Sequence, residues 1–153
     1  MAIVAALALI LLSLPALAYR GLGVGTVGRM LRAAASCGSH GRLMEMVHAR
    51  ATESFDLPLA PGESAIIAGP YMLTDRWLRE NTLLPYFVRM DLVRMNSVEE
   101  SGVFVTVRGR ALRCVVRLDR LLDTRNQLRM LRPGEPMAMQ YGQTDGSAHL
   151  VAH

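Results

Sequence analysis

At 153 residues the chain has room for one domain with a real hydrophobic core and not for two. All seventeen basic residues are Arg, so Schiff-base catalysis and a phosphate-loop lysine are both excluded. The net charge of +4 is modest and fits an anionic membrane surface as readily as nucleic acid.

The first element is Ala2 to Ala18, AIVAALALILLSLPALA, uncharged and with Ser13 as its one polar side chain. As a helix at about 1.5 Å per residue it spans roughly 25 Å. That is the short end for a hydrocarbon core of about 30 Å. Leu7, Ile10, Leu11 and Leu14 are its lipid-facing candidates, and Tyr19 and Arg20 its interfacial anchors. Arg20, Arg29, Arg32, Arg42 and Arg50 follow, against Glu45 and Glu53. The positive-inside rule then places the N-terminus outside and the rest in the cytoplasm, matrix or stroma. The rival is a secretory signal cleaved after Ala18, for which Pro15-Ala16-Leu17-Ala18 has the right small residues. The missing basic n-region favours the single-pass anchor.

Gly21 to Gly28 contains Gly23-x-Gly25-x-x-Gly28, the shape of a dinucleotide fingerprint. No strand precedes it and no βαβ unit surrounds it, so no cofactor is expected. Gly21, Gly25 and Gly28 serve instead as close-packing positions for another helix. Helices are expected from Thr26 to Ser36 and from Arg42 to Ala51. Cys37 and Cys114 are read as free buried thiols, on the expectation of a reducing compartment. Cys37, His40 and His48 match no strong zinc spacing. The loop from Phe55 to Gly62 marks a boundary, giving an anchor (1–19), a Gly/Arg-rich juxtamembrane segment (20–61) and a small β domain (62–153).

Ser64 to Ala68 reads as a strand, and Leu73 to Asn81 as a helix capped by Thr74. Trp77, the only tryptophan, is either core or a partner contact. From Phe87 on the period is two. Three half-buried strands are expected around Val88–Val93, Val103–Val107 and Leu112–Leu118. A helix is expected from Arg120 to Leu131, stopped by Arg132-Pro133-Gly134, then a strand pair around Met137–Tyr141 and Ala148–Ala152.

The whole predicts an α+β fold: a transmembrane helix, short juxtamembrane helices, and a small antiparallel β-barrel-like domain with an inserted helix, OB-like in architecture. Arg108, Arg110, Arg113 and Arg117 form the densest basic patch, with Arg113 and Arg117 on one strand face. It is a candidate contact for partner subunits or anionic lipid headgroups; few aromatics accompany it, so nucleic acid is not expected. The sequence brings together no nucleophile triad and no metal site; His149 and His153 are a weak terminal pair. The expectation is a non-catalytic accessory subunit of a larger membrane complex, with a respiratory or photosynthetic complex as the default host. The alternative is an exported β-domain binding module.

Overall fold

A computed structural model describes residues 37–98, 102–118, 122–143 and 146–152. The anchor residues Leu7, Ile10, Leu11, Leu14, Tyr19 and Arg20, the glycines Gly21, Gly25 and Gly28, the helix expected at 26–36 and His153 lie outside the described residues. Among the described residues no helix is long and apolar enough to cross a membrane.

The chain runs α1 (Gly38–His48), β1 (Glu63–Ala68), α2 (Asp75–Asn81), α3 (Tyr86–Val98), β2 (Val103–Arg108), β3 (Ala111–Arg117), β4 (Leu122–Asp123), β5 (Leu128–Leu131), β6 (Met137–Tyr141) and β7 (Ala148–Ala152). Four strands make an antiparallel sheet in the order β3-β2-β1-β5, and three make a second sheet in the order β4-β7-β6. The fold is mixed α+β. The two sheets do not close into a barrel, and β4 pairs with β7 in parallel, unlike the all-antiparallel barrel the sequence predicts.

The central strands β1 and β2 are buried on both faces, which corrects the half-buried expectation for 103–107, whereas the edge strand β3 is half-buried as expected. Ala65, Ile67, Phe104 and Cys114 point into a core shared with Leu43, Val47, Phe55, Met137, Met139 and Leu150. Thus α1 and the 55–57 loop belong to the same core as the second sheet. Ile66, Ala68, Val103, Val105, Val107 and Val115 face the other way, against Leu73, Leu78, Leu84 and Leu92 from the α2–α3 region. The result is three layers: a helix pair, a four-stranded sheet, and a small sheet with α1. Fully burying one of these large side chains contributes about 1.5–3 kcal/mol.

The strand expected at 87–93 is the middle of α3. Val88, Leu92, Met95 and Asn96 recur at helical spacing and form its inner stripe. The Pro85 carbonyl accepts the first helical bond, 3.1 Å from the Arg89 amide. The helix expected at 120–131 is also absent from its described part, which is β4, a turn and β5. Asp123 Oδ1 accepts from the Arg125 amide at 2.9 Å, the Gln127 amide donates to the Thr124 carbonyl at 2.9 Å, and Asn126 has φ 62. A side chain that folds back on its own backbone favours a turn over a helix. The turn is also wedged: a Cβ at Gly69 would overlap the Thr124 carbonyl, and one at Gly102 the Thr124 hydroxyl. Only glycine permits that approach.

Cys37 and Cys114 are joined in a disulfide with their Cα atoms 6.1 Å apart, so no free thiol remains. This corrects the free-thiol expectation. Cys37 is the N-cap residue of α1, and Cys114 lies on the inner face of β3 opposite Thr106. His40, in the first turn of α1, packs tilted at 57° against Phe104 with ring centroids 5.7 Å apart, and its Nε2 is buried without a hydrogen-bond partner. Burial pushes its pKa below the ordinary 6.5. As pH falls through about 6.5, the unfolded chain therefore takes up a proton that the folded chain still refuses, and stability falls. Urea unfolding between pH 7.5 and 5 is expected to show this loss, and His40→Gln to flatten it; an unchanged slope in the variant would contradict the assignment.

Candidate functional site

Thr74 starts α2, its Oγ1 accepting from the Trp77 amide at 3.2 Å. Asp75, in the first turn, accepts from Arg89 Nε at 2.7 Å, and Arg89 Nη1 donates to the Leu84 carbonyl at 2.8 Å. The Arg89 guanidinium also lies 5.7 Å from the centroid of the Tyr86 ring. One half-buried cation thus fixes α2 to α3, the connection between them, and an aromatic ring beside it.

That connection carries an exposed apolar ridge. Among the described residues the exposed large hydrophobics are Tyr71 (63%), Leu83 (70%), Tyr86 (64%), Phe87 (55%) and Met90 (38%). Four of these five fall between residues 83 and 90. Met90 follows Tyr86 by four residues and Phe87 by three, so all three share the outer face of α3. Two shallow cavities of about 380 and 430 Å³ lie between α2 and the large sheet and share Asn81 and Met130. Leu83 lines the first; Trp77, Arg132 and Glu135 line the second.

Tyr71 has φ 63, a left-handed conformation that a bulky residue adopts only when held there. The holder is Asn96, fully buried on α3. Its Oδ1 accepts from the Leu73 amide at 2.8 Å, its Nδ2 donates to the Gly69 carbonyl at 2.9 Å, and its carbonyl accepts from the Tyr71 amide at 3.2 Å.

Trp77 is partly buried and packs against the core beneath the helix pair. The basic patch sits elsewhere, on β3 and its turn. Arg108 donates twice to the Pro61 carbonyl, at 3.0 and 3.2 Å. The two-residue turn Gly109–Arg110 has Gly109 at φ 56. Opposite Thr106 and Val107 the register on β3 steps from Cys114 to Leu112, leaving Arg113 as an extra residue. Strict alternation puts Arg113 and Arg117 on one face; the bulge takes Arg113 out of that phase. Since β3 is an edge strand, exposed Arg113 and Arg117 and the bulge discourage pairing with another sheet.

The small sheet has a polar cluster that sequence reasoning does not assemble. Ser147 and His149 stand two apart at β7, with Ser147 Oγ 3.2 Å from His149 Nε2. Parallel pairing sets Asp123 beside His149, with Asp123 Oδ2 3.7 Å from Nδ1. Asp123 also holds Arg125 through both carboxylate oxygens, at 3.1 and 3.0 Å. Chiefly the Arg125 side chain, and secondarily its amide and charge and that of His149, hold the Asp123 carboxyl below its usual range. Arg50, at φ 51, closes α1: its amide donates to the Val47 carbonyl and the Ala51 amide to the Met46 carbonyl. Glycine is the usual residue at that position; a side chain there costs about 1 kcal/mol. The Arg50 guanidinium lies against Gly146. Ser147-x-His149 is the one trace of this cluster in the sequence, because alternate strand residues share a face. Asp123 and Arg50 arrive only through tertiary pairing. Among the described residues no group of three or more His, Cys, Asp or Glu is placed to hold a metal ion.

An α+β domain of two sheets and a helix pair, crossed by one disulfide and carrying an apolar ridge, is the class these features define. No family model, curated protein or solved structure matches the chain.

Proposed function

We propose that the chain is an accessory interaction subunit whose folded domain works on the oxidising side of a membrane, delivered there by its N-terminal apolar stretch. There the ridge Leu83–Tyr86–Phe87–Met90 docks on another membrane-protein subunit. The observation that carries the reading is the gathering of four exposed large side chains on one preorganised corner. Scattered single apolar residues are ordinary on a surface, whereas a contiguous group with aromatics, Met and a neighbouring Arg is the composition of an interface core. Arg89 already orders this corner, so docking loses less conformational entropy. The role asks for no chemistry at the ridge.

The Cys37–Cys114 bond favours the exported side over the cytoplasmic, matrix or stromal side that the flanking arginines predict. Export by a signal cleaved after Ala18 reconciles the two, because the arginines then follow a removed segment. Intact-mass analysis of the protein from its native membrane or surrounding fluid is expected to find Tyr19 first and no alkylatable thiol. Met1 retained together with two free thiols would return the domain to the inner side.

The docking claim is tested by native mass spectrometry of the mildly solubilised protein. A Leu83→Ser, Phe87→Ser pair is expected to release the partner at an unchanged thermal midpoint, since exposed substitutions stay within about 0.5 kcal/mol. Retained assembly would refute the ridge as the contact.

A further inference from the structure

We infer that Ser147, His149 and Asp123 form a serine nucleophile site for acyl esters, an activity beyond the docking role and independent of it. Ser147 Oγ lies 3.2 Å from His149 Nε2, and His149 Nδ1 lies 3.7 Å from Asp123 Oδ2. A nucleophile in hydrogen-bond reach of a base, and that base oriented by a third group, is the arrangement that activates a serine hydroxyl; the free-state distances are commonly loose. A carboxylate on the Nδ1 side only accepts, so the imidazole proton belongs on Nδ1 and the lone pair on Nε2 faces Ser147. The His149 side chain is 42% exposed, which leaves the site open to a substrate from solvent.

Arg50 supplies the second, independent observation. An arginine occupies a left-handed helix-ending position that favours glycine, and its guanidinium rests against Gly146, the residue before the nucleophile. The Arg50 guanidinium makes no hydrogen bond or ion pair among the described residues. A locally disfavoured residue that delivers a charge to a polar cluster marks a site. A cation beside Gly146 is available to a developing oxyanion or to an anionic substituent of the acyl group.

The reaction follows. Ser147 Oγ bonds to the ester carbonyl carbon while its proton passes to His149 Nε2. The C–O bond to the alcohol then breaks, and the leaving oxygen takes that proton. Water attacks the acyl-serine, giving a proton to Nε2; the acid departs and Oγ regains the proton. Ester and water become acid and alcohol. Asp123 acts through His149 as a positioning residue.

The test uses the full chain with its disulfide formed and a fluorophosphonate probe, read by intact mass and peptide mapping across pH 5–9. The expected result is one adduct at Ser147, forming faster as pH rises to a plateau. Ser147→Ala abolishes the adduct, and His149→Gln slows it at least about 100-fold, the usual contribution of a positioned base. Asp123→Asn shifts the pH midpoint, which a merely structural role would not do. Arg50→Gly raises the thermal midpoint by a few degrees yet slows labelling. Ser147 reacting no faster than Ser64 or Ser97 in natively folded protein would overturn the proposal, as would an unchanged rate in His149→Gln. Should His149→Gln fail to fold, the wild-type pH profile decides: a flat profile refutes the site.

Discussion

Reduction of the Cys37–Cys114 bond is expected to lower the thermal midpoint of the domain by roughly 15 °C. The two cysteines are 77 residues apart, so the bond closes a long loop in the unfolded chain. Closing a loop of that length removes unfolded-state entropy worth about 4–5 kcal/mol, although native disulfides often deliver less. For a domain of this size about 1 kcal/mol corresponds to roughly 4 °C. Calorimetry with and without reductant, with alkylation to hold the reduced state, reads the difference directly. A shift under about 5 °C would show that the sheet and α1 hold together without the bond. Cys114→Ser should reproduce the shift, because neither partner stabilises the fold in this way alone.

The second large effect is expected at Asn96. Asn96→Ala leaves the buried Leu73 amide without its partner and the Gly69 carbonyl with the Met72 amide alone, 3.2 Å away. The orphaned amide costs about 1–3 kcal/mol, and the second lost bond and the lost packing add to this, for a total near 3 kcal/mol. Urea unfolding measures the loss. Hydrogen exchange localises it: the Leu73 amide should lose its protection while amides of β2 exchange only through global opening. The same change loosens the Gly69 and Leu73 flanks of Tyr71, while the Tyr71 amide keeps its bond to the carbonyl of residue 96. A loss below about 1 kcal/mol would mean that water replaces the side chain.

The contrast between α2 and α3 explains what the sequence disclosed. Helix α2 was legible because Thr74 is a strong N-cap and Asp75 sits in the first turn. Helix α3 was not, because its inner stripe includes Asn96, a polar residue that pattern reading assigns to the surface. Without Asn96, the inward Val88 and Leu92 with the outward Met90 between them mimic a period of two. The 120–131 segment failed for a different reason: its leucines fit a helix, but Asp123 and Asn126 make a turn through side-chain and left-handed backbone geometry. The β2–β3 hairpin was legible from alternation and Gly109, apart from the bulge at Arg113. As for the sites, the basic patch was visible as composition but not as an edge strand. The ridge was hidden because exposure of Tyr86 and Phe87 follows from which helix face Leu92 and Asn96 bury. The Ser147 cluster depends on the parallel β4–β7 pairing, which no local signal announces.

The cross-link also settles how the domain bears load. Cys37 is the N-cap residue of α1, and Cys114 lies in the large sheet. A pull applied at Cys37 therefore bypasses α1 and arrives at β3. Everything between the two cysteines, including α2, α3 and the docking ridge, sits inside a covalent ring and carries no tension. Under force the chain after Cys114 is free to lengthen, so drawing an oxidised domain from its far end strips β5 from the large sheet and unravels the small sheet before the ring that holds the ridge. Reduction abolishes that shelter and turns the same molecule into one that extends along its full contour.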